Sequence, residues 1–288
     1  MITCNLKGGL GNQLFQIFAT IAYAMSHNKP FFFLNLSTLG SGLTIRPTYW
    51  DSFLRGLKPF LKSMEQMPLF ITIREQSFHF TPIPQNFVAG YGIVLDGYYQ
   101  SYKYFQRYQK LIYIMIKLDI NQQMIRGREL FRNNLDFSST TSLHFRIGDY
   151  QLYPDTHPIL PLNYYKNALK YLLDQSTNFV NVLYFCEDAD LAKVESMIGE
   201  LKTGFPTLKF CRANPTLSDW EQILLMSVCR NNIIANSTFS WWGAYLNQDQ
   251  LKTVCYPTHW FGKAVNHDTT DMFPEDWMPI VYHQWPVL

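Results

Sequence analysis

The chain has 288 residues, 47% of them apolar and only 16% charged, with a net charge of +2. A chain of this length and composition buries a substantial core and is expected to divide into two domains. With no basic run it lacks the charge to bind nucleic acid through many phosphates, and no run of about 18 apolar residues offers a membrane span.

Five cysteines (Cys4, Cys186, Cys211, Cys229 and Cys255) are odd in number and widely spaced. No C-x-x-C pair or Cys/His cluster occurs, so neither a disulfide framework nor a metal site is expected. Buried thiols in a reducing compartment fit better. The first strand begins at residue 2 and leaves no room for a signal peptide, so a soluble, cytoplasmic protein is expected.

Residues 2–6 read as a strand and 7–13 as a glycine-rich turn. After it Leu14, Ile17, Phe18, Ile21 and Met25 recur at the spacing of an amphipathic helix. The apolar run 31–34 then reads as a buried strand, which completes a βαβ unit. A glycine turn at a helix N-terminus presents unpaired amides to phosphate or sugar oxygens. Asn12 and Gln13 add amide side chains that both donate and accept. Tight packing at a strand–helix joint is the structural alternative for Gly9 and Gly11.

Residues 35–95 mix prolines with aromatic residues and carry strand candidates near 69–73 and 87–88. The aromatic segment 97–105 leads into helical sequence as far as about residue 133. The polar stretch 133–141 reads as a linker, so the expected domains are 1–135 and 136–288.

In the second domain the alternation is regular. Strands are expected at 143–145, 182–186, 209–211, 233–235 and 254–256, with helices at 163–174, 190–202, 220–228 and 241–246. Repeated β–α alternation implies a parallel sheet with helices on both faces. Ligands bind such sheets at the carboxyl ends of the strands. That rule selects four loops: 7–13, 146–150, 187–188 and 236–240.

The second of these loops is the densest. His144, Phe145, Arg146, Ile147, Gly148, Asp149 and Tyr150 run out of a strand, and alternation puts His144, Arg146 and Gly148 opposite Phe145 and Ile147. Arg offers a rigid bidentate fork to phosphate, and Gly148 permits a tight bend beside a ligand. A structural Arg–Asp pair is the alternative. In the last loop Asn236, Ser237, Thr238, Phe239 and Ser240 offer three hydroxyls and an amide where a helix needs a single cap, which favours an anion cradle. Glu187 and Asp188 can accept from a base or ribose, or can simply complement a helix N-terminus.

Taken together, these segments resemble the inverting α1,2-fucosyltransferases, which use GDP-L-fucose. The resemblance rests on Gly8, Gly9, Leu10, Gly11, Asn12 and Gln13, on the segment 97–105 and on the segment 144–150. Asn236 to Gly243 and the closing Trp260, Pro274, Glu275 and Trp277 extend it over the whole chain. It implies an α/β, GT-B-like fold of two Rossmann-like domains facing a central cleft, with the acceptor on the N-terminal side and the donor on the C-terminal side. By the same resemblance Arg146 binds the β-phosphate, His144 lies near the nucleoside, and Ser237, Thr238 and Phe239 line the phosphate and guanine pocket. Asp188 reads guanine and Asn12 reaches the fucose. One departure is Ile147, where the family usually has a second arginine.

The expected reaction is transfer of L-fucose to the 2-hydroxyl of a galactose-terminated glycan with inversion. No cofactor or metal is expected, since no D-x-D stands in a loop suited to holding one. Arg146 and two helix N-termini then stabilise the leaving diphosphate. Asp149 is the candidate base by position, with Asp155 and His157 in the next loop as further candidates. Two other readings remain open at this point. A dinucleotide oxidoreductase would need G-x-G-x-x-G and an acidic residue closing the second strand, and neither is present. A non-catalytic sugar-nucleotide or glycan-binding module would bind without turnover.

Overall fold

The computed structural model describes residues 1–40, 45–63, 69–133, 135–175 and 179–282. The chain forms two compact units, Met1–Asn121 with His267–Pro274, and Gln122–Asn266 with Glu275–Leu288.

In the first unit, β1 (Ile2–Cys4), β2 (Phe70–Arg74) and β3 (Gly92–Asp96) form a parallel sheet in the order β1-β3-β2. The central strand β3 lies where no strand was expected, whereas 87–88 stays outside any sheet. The burial of each segment explains the difference. Ile93, Val94 and Leu95 are buried, while Phe87 and Val88 are half exposed. Of the expected strand 31–34, only Phe33–Leu34 pairs as a strand, with Leu61–Lys62; Phe31 makes a single bridge to Ile2.

The helix α1 (Leu10–Ser26) forms as expected but is buried nearly all round rather than on one stripe. Two of its buried polar residues, Gln16 and Thr20, are satisfied inside the unit. The Gln16 side chain exchanges two hydrogen bonds of 2.9 Å with the Lys7 main chain, and Thr20 Oγ1 donates to the Gln16 carbonyl at 2.7 Å. Helices α2 (Gln109–Met115) and α3 (Leu118–Asn133) occupy the expected helical region. The two compact units meet in sequence inside α3, and of the linker expected at 133–141, residue 134 lies outside the described residues.

The second unit holds six parallel strands: β4 (Thr140–His144), β5 (Asn181–Phe185), β6 (Lys209–Arg212), β7 (Asn231–Ile233), β8 (Val254–Pro257) and β9 (Met278–Ile280). Helices α4 (Leu162–Asp174), α5 (Leu191–Gly204), α6 (Asp219–Ser227) and α7 (Thr238–Tyr245) connect them. The sheet order is β6-β5-β4-β7-β8-β9. Leu143, Val182, Tyr164, Tyr165, Leu169, Val194, Ile198 and Ile233 belong to one buried core cluster.

Strand β7 begins two residues before the expected 233. Asparagine is a poor strand former, but Asn231 and Asn232 are both fully buried here. The Asn232 amide donates to Ser142 Oγ at 2.7 Å and to the Met226 carbonyl at 2.8 Å, and it receives a bond from Asn247 at 2.9 Å. Buried polar groups paired this completely lock β7 to its neighbour β4. Of the cysteines, Cys4, Cys229 and Cys255 are buried as expected, but Cys211 is exposed because β6 is an edge strand. Among the described residues no helix is long and apolar enough to cross a membrane.

Candidate active site

The order of the six-stranded sheet decides where a ligand belongs. The chain moves outward from β4 through β5 to β6, then restarts on the other side of β4 with β7. At such a reversal the loops leaving the two central strands diverge, and a crevice opens at their carboxyl ends. The two loops that do so are 145–150 and 234–238, which carry the sequence-predicted residues Arg146 and Asp149, with His144 at the end of β4 just before them, and Asn236, Ser237 and Thr238.

Arg146 sits between two carboxylates. It pairs with Asp149 in its own loop and with Glu187, which follows β5. Its guanidinium lies 5.0 Å from the Tyr150 ring. Tyr150 in turn donates through its hydroxyl to the Asn236 carbonyl at 3.0 Å, tying the two switch-point loops together. Gly148 (φ +31°) brings the chain so close to Glu187 that an added Cβ would lie 3.0 Å from its carboxylate. The Gly148 N–H donates to Asp190 at 2.8 Å. Phe145 and Ile147 are buried in the core, so the expected alternation holds, and Ile147 is a packing residue.

His144 is buried, with its ring 5.5 Å from that of Phe239. Its Nδ1 has no hydrogen-bond partner, and neither does Asn236 Oδ1. The Asn236 amide nitrogen is committed to the carbonyls of Pro158 and Trp260 at 2.8 and 3.2 Å. Buried polar atoms are ordinarily satisfied. Two unsatisfied atoms at the ends of β4 and β7 therefore fit a polar ligand that supplies the missing partners. Ser237 caps α7 by accepting from the Phe239 N–H at 3.3 Å, and Thr238 and Phe239 are half-buried beside it. Ser240 points inward instead, where its hydroxyl accepts from the Ala235 N–H at 3.2 Å and holds the turn.

Burial first, and the nearby Arg146 charge second, push the His144 pKa down to about 3. The ring is thus neutral at physiological pH. An unfolded histidine titrates near 6.5, so below that pH the unfolded chain takes up a proton that the folded chain refuses. Stability contributed by the neutral ring is present above about pH 6.5 and is lost as pH falls below it. A His144→Gln variant is expected to lose less of its urea midpoint between pH 7.5 and pH 5 than the wild type. Equal losses would contradict a neutral buried ring.

Asp188 pairs with Arg212, the last residue of β6. The two stand in the wall of a cavity of about 170 Å³ that is also lined by Phe185, Cys186, Asn214 and Gln222. Arg212 was not singled out in the sequence, and neither was Glu187 as the partner of Arg146. Both arrive by strand adjacency rather than by local pattern. Asp188 and Asp190 form a D-x-D spacing in the turn after β5. Their side chains go to different partners, Asp188 to Arg212 and Asp190 to the Gly148 N–H. Of the two further base candidates, Asp155 is paired with Lys263 at 3.3 Å. His157 stacks on Tyr150 at 4.6 Å, and burial lowers its pKa.

In the first unit, the turn before α1 places Gly8 at φ +82°, and Gly9 at the helix start has no side-chain cap. Gly9 and Asn12 are partly exposed, whereas Gly11 and Gln13 are buried. Gln13 donates to the carbonyls of Gly8 and Pro47 at 3.0 and 2.9 Å, while its Oε1 has no partner. Asn12 Oδ1 accepts from Gln100 at 3.0 Å.

Residues 1–281 match Glycosyl transferase family 11. The chain belongs to this family. The oxidoreductase alternative is thereby set aside. An alpha-1,2-colitosyltransferase of Escherichia coli is 26% identical over 97% of this chain and 99% of its own length. A galactoside 2-alpha-L-fucosyltransferase of Caenorhabditis elegans is 24% identical over 96% of this chain and 78% of its own. The O-antigen biosynthesis glycosyltransferase WbnK of Escherichia coli is 38% identical over a shorter stretch, 43% of this chain and only 40% of that protein. The crystal structure of POFUT1 in complex with GDP superposes with a TM-score of 0.51 at 9% identity, over 88% of this chain and 97% of that one. The protein is thus a family 11 glycosyl transferase of the GT-B-like α/β class that the sequence led us to expect.

Proposed function

We propose that the protein transfers L-fucose from GDP-L-fucose to the 2-hydroxyl of a galactose-terminated glycan, with inversion and without a metal or cofactor. The observation that carries this reading is the pair of unsatisfied buried atoms, His144 Nδ1 and Asn236 Oδ1, flanking the Arg146 loop where the sheet order reverses. Family membership and the α1,2 linkage named for the colitosyl and fucosyl relatives support the reaction type.

In this reading the second unit takes the donor and the first unit takes the acceptor. Arg146 keeps N–H groups beyond those given to Asp149 and Glu187, because guanidinium has five donors. It meets the β-phosphate together with the first-turn amides of α7, which Thr238 and Phe239 open. Asp188 reads the base from the wall of the cavity after β5, and His144 lies against the nucleoside. Within the first unit Asn12 is the member of the glycine turn open to a sugar, since Gly11 and Gln13 are themselves enclosed.

The acceptor oxygen attacks the anomeric carbon from the face opposite the diphosphate. As that bond forms, the bond from the anomeric carbon to the phosphate oxygen breaks, and GDP leaves with the electron pair. The acceptor proton passes to a base. Asp149 is the candidate by position, although its ion pair with Arg146 equally supports a role in holding the guanidinium.

The test is incubation with GDP-fucose or a colitosyl donor and a panel of β-galactosides, with and without EDTA, followed by linkage analysis of the product. The expected product is an α1,2-fucosyl galactoside formed at the same rate in EDTA. Loss of turnover in EDTA that Mg²⁺ restores would overturn metal independence. Binding of GDP-fucose without any transfer would leave a binding module instead of an enzyme.

A further inference from the structure

The aromatic segment 97–105 is part of the family resemblance, and of it only Gln100 touches a residue assigned above, through its hydrogen bond to Asn12. In the first unit it follows β3 directly and meets, at the carboxyl edge of the sheet, the residues that follow β1 and end β2. Lys7 Nζ lies 3.2 Å from Asp96 Oδ1 and 5.0 Å from the centre of the Tyr98 ring. Arg74 Nε lies 3.9 Å from the other Asp96 oxygen. Tyr98 keeps 39% of its surface exposed.

Two side chains, the buried Gln16 and the half-buried Glu75, fix the backbone from which this patch projects. Gln16, fully buried, exchanges its pair of hydrogen bonds with the Lys7 main chain. Glu75 accepts from the N–H groups of both Tyr98 and Tyr99, at 2.6 and 2.8 Å. Tyr99 is held in the left-handed region at φ +53°, which a bulky residue rarely adopts. At Gly97 any Cβ would lie 2.3 Å from that of Glu75. A strained turn, clamped by the half-buried Glu75 carboxylate so that one aromatic ring faces outward, marks a presented surface rather than a packing accident.

We propose that Tyr98, Lys7 and Asp96 form the acceptor-docking patch, with the Tyr98 ring against the apolar face of a neutral hexose and the Lys7–Asp96 pair on its hydroxyls. An exposed ring beside one donor and one acceptor suits an uncharged polyhydroxyl ring, since the ring covers C–H groups while the ion pair satisfies hydroxyls of either sense. The assignment rests on the transferase reading above and gives its acceptor a place within the first unit.

The test is steady-state kinetics with lactose varied at saturating GDP-fucose, alongside calorimetric binding of GDP. Tyr98→Ala is expected to raise the lactose KM about tenfold, with kcat and GDP affinity near those of the wild type. Tyr98→Phe, which keeps the ring, stays within about threefold, and Asp96→Asn raises the lactose KM without moving GDP affinity. An unchanged lactose KM in Tyr98→Ala, or a loss of GDP affinity in its place, overturns the patch. A wild type that transfers nothing to lactose counts against the reaction and not against the patch. Saturation-transfer NMR with lactose then decides: a wild-type signal that Tyr98→Ala abolishes supports the patch, and no signal, or one the variant retains, overturns it.

Discussion

Replacement of Arg146 by alanine is expected to lower kcat/KM about a hundredfold, because one charge-assisted contact to a developing oxyanion is worth about 3 kcal/mol. The loss should fall mainly on kcat, since the negative charge on the diphosphate grows only as its bond to the sugar breaks. Arg146→Lys is expected to recover little. A single ammonium cannot satisfy Asp149, Glu187 and a phosphate together, as the planar guanidinium with its five donors can. Asp149→Asn separates the two roles of its carboxylate. If Asp149 only orients Arg146, GDP affinity weakens together with activity. If it takes the acceptor proton, kcat falls by about 10²–10⁴ at unchanged GDP affinity. Wild-type turnover by Arg146→Ala would remove the residue from the chemistry altogether.

The largest effect on stability is expected at Trp241. Its side chain is fully buried, stacks on Tyr245 at 4.7 Å and tilts against Trp277 at 5.4 Å, so it joins α7 to the chain segment that returns before β9. Trp241→Ala should cost about 3–5 kcal/mol through lost contacts and the cavity left behind. The check is the urea midpoint at constant m-value. A shift under about 1 kcal/mol would mean that the neighbouring rings close the gap. The segment 236–243 thus divides by position. Asn236, Ser237 and Thr238 face the switch point, while Ser240, Trp241 and Trp242 are turned into the unit.

Much of this was legible because the signals are local. In the second unit the expected β–α alternation matches the elements found apart from β9, with no end displaced by more than three residues, because each element buries its own run of apolar residues. The loop at 144–149 could be read because a strand, an arginine and a glycine stand within six positions. What escaped notice depends on neighbours distant in sequence. Arg212 reaches Asp188 only because β5 and β6 are adjacent and parallel, with Arg212 opposite Tyr184. Asn231 and Asn232 look like loop residues until Ser142 and Asn247 are beside them. Strand β9, spanning Met278–Ile280, has a proline at its centre, which argues against a strand except at a sheet edge, and it is the edge strand next to β8. Tyr150 carries no local sign of its contact with the Asn236 carbonyl 86 positions away.

The central claim is that the switch point between β4 and β7 holds the nucleotide diphosphate, and a crystal structure of the GDP complex tests it most directly. The account predicts a phosphate oxygen within about 3 Å of the Arg146 guanidinium. It also places the nucleoside so that His144 Nδ1 and Asn236 Oδ1 gain partners, with the base beside Asp188. Diphosphate found elsewhere in the molecule, with Arg146 still closed onto Asp149 and Glu187 alone, would contradict it.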